Sequence, residues 1–212
     1  MDDLKVLLVN GSPHEKGCTY TALCEISAEL EKQGIYSEIF HVGHDPVAGC
    51  LGCAACTKAD FPRCIQNNDC VNDFIVKAAG FDGYVFGSPV HYAAASGMIT
   101  SFMDRVFYAG GSKLAYKPAA AVMSCRRGGA TATLDQLNKY FLINKMPVVS
   151  SQYWNMVHGS TPSDVLRDEE GLQTMRTLAR NMAWILKCIK AGAETGISVP
   201  EAETPIKTNF IR

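Results

Sequence analysis

The sequence has no long hydrophobic run and no long run of basic residues. Its first residues, MDDLKVLLVNGSP, are apolar over a short stretch and begin with acidic side chains, which predicts a first β-strand rather than a secretory signal. The other apolar runs are too short to cross a bilayer. Lysine and arginine total 20 against 21 acidic residues, and the net charge of −1 disfavours nucleic acid and anionic membrane as partners. We expect a cytoplasmic protein without nucleic-acid or membrane partners.

Two nucleotide-binding fingerprints are missing as well. After the first predicted strand the chain reads NGSPHEKGCTYTAL, which is neither G-x-G-x-x-G nor G-x-x-x-x-G-K-[ST]. These motifs for dinucleotides and nucleoside triphosphates are therefore excluded. Backbone N–H groups, the positive end of the next helix and the hydroxyls of Ser12, Thr19 and Thr21 instead predict a site for one phosphate, held without a metal. The alternative is a plain strand-to-helix turn closed by a capping hydroxyl.

Short apolar runs alternate with longer helical patterns along the chain. In the first helical pattern an apolar stripe is followed by Gly34, which is typical of a helix end. This alternation predicts an α/β fold with one doubly wound, five-stranded parallel sheet and helices on both faces. We expect one domain over residues 1–191 and a C-terminal extension over 192–212. The predicted strands are 4–9, 36–42, 83–86, 119–123 and 148–153, and the predicted helices are 20–33, 71–79, 96–107, 131–144 and 170–190.

Two further loops leave the predicted sheet at the edge where ligands bind in such folds. In GSPVHYAAAS, Pro89 imposes an extended path on Ser88, and His91 and Tyr92 then lie at the sheet edge. Exposed backbone amides can hydrogen-bond to a flat heterocycle, and a neighbouring aromatic ring can stack on it. Taken alone, His91 is more typical of a polar surface residue. In SCRRGGAT, residues 124–131, two arginines and two glycines predict a positive loop that a ligand can approach closely. A solvated arginine pair is the alternative.

Cysteine is abundant. Nine cysteines, an odd number without a predicted secretory signal, argue against a disulfide framework and favour reduced thiols or metal ligands. Four of them, Cys50, Cys53, Cys56 and Cys64, are spaced C-x2-C-x2-C-x7-C. Two-residue gaps let successive thiolates reach one [4Fe–4S] cluster. Zinc competes, because four thiolates also suit a tetrahedral site, and a metal-free or partly oxidised loop is the third interpretation.

Taken together, these segments resemble the flavodoxin-like NAD(P)H-dependent FMN reductases and, among them, the iron–sulfur flavoproteins. The resemblance covers residues 5–187 and depends on NGSPHEKGCTYTA, GSPVHYAAASGMITSFMDR, the cysteine stretch and the late segment HGSTPSDVLRDEEGLQTMRTLARNMA. It implies a flavodoxin-like fold with non-covalent FMN where the strand order reverses, and NAD(P)H as co-substrate. Electrons would pass to flavin, quinone or another small acceptor. No catalytic side chain is implied, since such a protein positions and tunes the flavin.

The resemblance also assigns residues to each part of the cofactor. The first loop would bind the phosphate, and residues 89–92 would line the isoalloxazine ring. Residues 124–129 would contact the other edge of the ring or the nicotinamide donor. The cofactor-binding residues implied in this way are Ser12, His14, Gly17, Cys18, Thr19, Pro89, Val90, His91, Tyr92, Ser124, Arg126, Gly128 and Gly129.

The same resemblance gives the cysteine stretch a function. In iron–sulfur flavoproteins a compact cysteine stretch at this location binds a [4Fe–4S] cluster, which implies Cys50, Cys53, Cys56 and Cys64 as ligands. Because the loop leaves the second strand at the same sheet edge, we expect a cluster to lie beside the flavin. The alternative function is an electron carrier between ferredoxin-like partners. The family further implies a homodimer or homotetramer built across the helix over residues 98–107.

Overall fold

Alternating strands and helices build the structure, a computed structural model that describes residues 4–58 and 63–210. Its strands are β1 (Lys5–Asn10), β2 (Tyr36–His41), β3 (Gly83–His91), β4 (Ala94–Ala95), β5 (Ala119–Cys125) and β6 (Met156–His158). Its helices are α1 (Cys18–Lys32), α2 (Val71–Ala78), α3 (Gly97–Leu114), α4 (Ala130–Ile143), α5 (Pro162–Val165) and α6 (Glu169–Glu194), with a short 3-10 helix at Ala55–Lys58.

Five of the strands form a parallel sheet in the order β2-β1-β3-β5-β6, and the short β4 pairs antiparallel with the end of β3. Strand β2 lies on one side of β1, and β3 and the later strands lie on the other side. The chain therefore leaves β1 and β3 in opposite directions, and the loops after these strands separate at the carboxyl edge of the sheet. Helices α1 and α6 cover one face, and α2, α3 and α4 cover the other. The predicted doubly wound, five-stranded fold is confirmed.

The strands are buried on both faces, which explains their continuous apolar sequences. In β1, Leu7 and Val9 point into the core under α2 and α3, while Val6 and Leu8 point into the core under α1 and α6. All four side chains are fully buried. This packing fixes the register of β1 and thereby the place where the following loop begins.

The last parallel strand differs from its prediction. Val148 forms only an isolated bridge with β5, and the regular strand lies later, at Met156–His158. Between them the Ser151 hydroxyl bonds to the Tyr153 carbonyl and to the Asn155 side chain, both at 2.7 Å, and this local bonding turns the chain out of the ladder. The chain rejoins the sheet at Asn155, whose side-chain amide donates to a carbonyl of β5 at 3.1 Å. The predicted strand over 148–153 is therefore misplaced.

The last helix is longer than predicted, and an irregular segment follows it. Helix α6 continues to Glu194, beyond the predicted domain boundary at residue 191. Residues 197–210 follow it without regular structure and are exposed. Across residues 4–58 and 63–210, no helix combines the length and the apolar character needed to cross a membrane.

Candidate functional site

The loop after β1 folds around the side chain of Asn10, which is buried at the end of that strand. Asn10 Nδ2 donates to the Glu15 carbonyl at 3.0 Å, and its Oδ1 accepts from the Ser12 N–H at 3.1 Å. The Ser12 hydroxyl accepts from the His14 N–H at 3.1 Å. Side chains of this type commonly hold the turn that follows them. The sequence interpretation did not assign Asn10 to the site, although an asparagine directly before Gly-Ser-Pro is a turn signal.

Helix α1 begins at this loop without a capping side chain. Its N-cap is Gly17, which has no side chain to accept from the first turn, and that turn contains no acidic residue. The Thr21 hydroxyl donates to the Gly17 carbonyl at 3.1 Å, so it is used within the helix. The first N–H groups of a helix lack intrahelical acceptors. Those of α1, together with the positive helix end, are therefore suited to interact with an anion.

Cys18, the first residue of α1, contacts the loop after β6. Its thiol donates to the Gly159 carbonyl over 3.8 Å, and the Gly159 N–H donates to the Cys125 carbonyl at 3.0 Å. Burial raises the pKa of the Cys18 thiol above its ordinary value. This shift favours the neutral thiol over the thiolate at the start of α1.

The hydroxyls of Thr19 and Ser124 are hydrogen-bonded to each other at 2.8 Å. Both residues are almost fully buried. Thr19 belongs to the first turn of α1, and Ser124 lies near the end of β5, so this bond ties the start of the helix to the third predicted loop. This buried hydrogen bond therefore fixes the start of α1 relative to the end of β5.

The residues after Pro89 form a tight hairpin at the end of β3. Val90 and His91 pair with β4, and the two turn residues, Tyr92 and Ala93, have φ angles of 49° and 61°. Positive φ at both central positions is the geometry of a type I′ turn, in which Asn-Gly is preferred. Tyrosine and alanine adopt it at a cost, and such strain often occurs at functional sites. The Tyr92 side chain is fully exposed above the sheet edge.

A glycine and a serine join the three loops of this edge. Gly129 has a φ of 95°, and a Cβ on it would lie 2.5 Å from the Ala93 Cα. Ser96, the N-cap of α3, donates through its hydroxyl to the Gly11 carbonyl at 3.1 Å. We call residues 11–17, 90–95 and 126–129 the edge loops.

The predicted cofactor residues therefore lie together, in two layers. A buried layer holds the loops in place, and an exposed layer faces solvent at the carboxyl edge. Buried are Ser12, Thr19 and Ser124; partly buried are Gly17, Cys18, Pro89, Val90 and Gly129; exposed are His14, His91, Tyr92, Arg126 and Gly128.

The four predicted ligand cysteines line one small cavity. Cys50, Cys53, Cys56 and Cys64 surround it with Arg105 and Tyr108 of α3 as part of its wall, among other residues. Burial, and repulsion from the neighbouring cysteines when these are ionised, raise the pKa of the Cys56 thiol. In the part of the chain that the structure describes, no three His, Cys, Asp or Glu side chains converge as they would around a single metal ion. The four cysteines are therefore neighbours around one cavity without being gathered as the ligands of one ion are.

This cavity lies against the middle of α3. Arg105 is eight residues after Gly97, the first residue of the helix, which corresponds to about 12 Å along the helix axis. The edge loops meet α3 at its amino end, at Ser96. Arg105 at the cavity is therefore about two turns along α3 from the end that the edge loops meet, and the expected position of a cluster beside the flavin stays a prediction.

Comparison with known proteins agrees with this architecture. The family model described as NADPH-dependent FMN reductase matches residues 4–161. An iron-sulfur flavoprotein of Methanocaldococcus jannaschii is 31% identical over 88% of this chain and 100% of its own length. An iron-sulfur flavoprotein of Archaeoglobus fulgidus is 30% identical over 94% of this chain and 96% of its own.

Solved structures show the same fold at low sequence identity. RosB with a bound riboflavin phosphate derivative superposes with a TM-score of 0.68, 14% identity and coverage of 99% of this chain and 94% of RosB. The flavodoxin WrbA-like protein from Agrobacterium tumefaciens gives a TM-score of 0.61, 14% identity and coverage of 89% and 99%. The fold, the family model and the full-length relatives agree, and the chain belongs to the NADPH-dependent FMN reductase family.

Proposed function

We propose that the protein binds FMN at the edge loops, takes electrons from NADH or NADPH and passes them to a small acceptor such as a flavin or quinone. The observation that carries this proposal is the amino end of α1, which has a glycine N-cap and no acidic residue in its first turn. It opens at the reversal of strand order, where open α/β sheets bind ligands. One phosphate group fits this end, and the motif for a dinucleotide is absent.

The residues of the edge suit the remaining parts of FMN. The hairpin presents an exposed aromatic ring at Tyr92 and a short, fixed turn, so a flat ring system can lie against it. Arg126 and Arg127 are exposed on the third loop and add positive charge for an anionic donor. Bound FMN would supply the redox chemistry, and the chain's own part is to hold and orient the cofactor.

A pair of substitutions at one position tests the phosphate site. Gly17→Asp places a carboxylate where it caps α1 and repels a phosphate, whereas Gly17→Asn offers a cap of the same shape without charge. We expect the aspartate variant to lose FMN while its thermal stability is maintained, and the asparagine variant to retain more FMN. Flavin released from the purified proteins gives the measurement. Equal FMN content in both variants would contradict an anion site at α1.

The reaction is tested on the wild-type protein. Anaerobic titration with NADH and with NADPH should bleach the flavin absorbance, and chromatography of the released flavin should identify FMN. A protein that neither contains nor takes up flavin would exclude the proposed oxidoreductase.

A second function is favoured by the cysteine cavity. We propose that Cys50, Cys53, Cys56 and Cys64 hold a [4Fe–4S] cluster and that the protein carries electrons between ferredoxin-like partners. Four cysteines line this cavity, four cysteine thiolates are the usual ligands of such a cluster, and relatives of this chain over most of its length are named iron-sulfur flavoproteins. Anaerobic reconstitution with iron and sulfide should give about four irons per chain.

The assembly is part of the same proposal. We propose a homodimer or homotetramer of a domain that spans residues 1–191, with the C-terminal extension outside it. Much of the apolar surface of α3 packs in the core of its own chain, but Tyr108 on that helix is more than half exposed. Light scattering should give at least twice the chain mass of 23.0 kDa.

A further inference from the structure

Arg105 is a buried arginine at the cysteine cavity, and its guanidinium is completely shielded from solvent. Its Nε donates to Cys64 Sγ at 3.3 Å. Its Nη1 donates to the Ala48 carbonyl at 3.3 Å and contacts the Asp69 carboxylate, and its Nη2 donates to the Gln66 carbonyl at 2.9 Å. One side chain on α3 therefore contacts the chain on both sides of the four cysteines.

Cys64 is the most firmly held of these cysteines. Its backbone N–H donates to Asn72 Oδ1 at 2.9 Å, and its carbonyl accepts from Asn72 Nδ2 at 3.0 Å. Asn72 is itself buried on α2. Cys50 and Cys53 are exposed. The loop thus has a fixed sulfur at the protein side of the cavity and two sulfurs on the solvent side.

A buried charge needs partners, because an unpaired one is strongly destabilising. Asp69 compensates the charge of Arg105, and two carbonyls satisfy further donors. A further donor, the Nε–H, points at a sulfur, which is a weak acceptor when it is a neutral thiol. A thiolate bound to iron is a much better acceptor for a cationic donor. A negatively charged sulfur at this position would therefore be a better partner for this N–H than a neutral thiol.

We propose that Arg105 is a positioning and potential-tuning residue for a [4Fe–4S] cluster on the four cysteines. The proposal rests on the electron-carrier function proposed above. Hydrogen bonds to the cysteine sulfurs and the local charge are among the factors that set cluster potentials, and neighbours of metal ligands typically orient and tune them. Donation from Arg105 to Cys64 Sγ stabilises the more negative, reduced cluster, so it raises the reduction potential.

The test compares reduction potentials of reconstituted proteins by EPR-monitored titration. Arg105→Lys keeps the charge but cannot make the same set of contacts. The double variant Asp69→Asn, Arg105→Gln removes both charges together and leaves neither one buried alone. We expect both to have a more negative cluster potential than wild type and to lose iron faster to a chelator. Arg63→Gln, which removes an exposed charge next to Cys64 in sequence, is the matched control and should shift the potential least.

FMN content and circular dichroism verify that each variant folds. A wild-type potential in both Arg105 variants, with full iron, would overturn the tuning function of Arg105. Failure of the wild-type protein to take up iron would overturn the inference together with the electron-carrier function, while retained FMN would leave the FMN oxidoreductase intact. A shift as large in Arg63→Gln as in Arg105→Lys would also overturn it, because the hydrogen bond would then have no special effect.

Discussion

The edge loops and the cysteine loop are held in place by opposite means. The edge loops are joined by close backbone approach, as between Gly129 and Ala93. Small side chains next to them in the sequence add a hydrogen bond, between Thr19 and Ser124. The described parts of the cysteine loop, residues 49–58 and 63–66, are tied to α3 by one buried charge, since Arg105 reaches residues on both sides of the cysteines, and Asn72 of α2 adds hydrogen bonds to Cys64. No buried ion pair occurs among the contacts described at the edge loops.

This difference indicates how each region will fail. Close packing of backbone tolerates little added volume, so the edge loops should be sensitive to an extra methyl group where two loops approach closely, as at Gly129. A buried arginine with several acceptors should be sensitive to loss of its geometry even when its charge remains. The two regions should therefore be separable by mutation, although both contact α3.

The largest expected effect is the loss of the cluster on removal of two ligands. Cys53→Ser combined with Cys56→Ser leaves only two of the four thiolates, and a cubane held by four cysteines should not form. We expect iron uptake after anaerobic reconstitution to fall from about four per chain to background. FMN content should stay at the wild-type level, because neither cysteine belongs to the edge loops.

A matched control for this change is Cys188→Ser, which removes an exposed cysteine at the far end of α6. It should leave iron and FMN unchanged. Full iron in the double variant would reject the proposed ligands, and a parallel loss of FMN would show that the two regions are not independent.

The second effect concerns the close approach at Gly129. Gly129→Ala combines a φ of 95° with a Cβ that would lie 2.5 Å from the Ala93 Cα, so the hairpin must move. The strain is about 2 kcal/mol, which corresponds to about thirtyfold weaker FMN binding. Fluorescence titration of apoprotein with FMN measures the change. Gly128→Ala is the control, since nothing lies within 4 Å of its added Cβ, and it should bind FMN as wild type does.

The sequence predicted the sheet and the convergence of the edge loops because both depend on local patterns. Buried strands such as β1 and turn signals such as Asn-Gly-Ser-Pro are visible in a few residues. The last strand was misplaced because Val148 and Tyr153 suggested a strand, whereas the side chain of Asn155 determines where the ladder resumes. That contact joins residues distant in the sequence, and no local pattern encodes it.

The contacts of Arg105 were equally beyond the sequence. Within the segment SFMDRV it has the position of an ordinary helical arginine, which is usually solvated. Only the packing of α3 against the cysteine loop removes it from water and directs it at Cys64. The four cysteines could be singled out from their spacing, but the arginine that contacts Cys64 could not.

The smallest expected effect concerns the strained turn of the hairpin. Ala93 has a φ of 61°, a conformation that glycine adopts without steric cost. Ala93→Gly should therefore raise the free energy of unfolding by about 1 kcal/mol, because the relieved strain of about 2 kcal/mol exceeds the entropy cost of about 0.5–1 kcal/mol for the added glycine. The control is Ala94→Gly in the adjacent strand, where glycine relieves no positive φ and should lower stability by about 0.5–1 kcal/mol. Thermal and urea unfolding of the apoproteins measure both changes. Destabilisation of equal size at the two positions would show that the turn stores no strain, and the edge loops would then be held by their packing contacts alone.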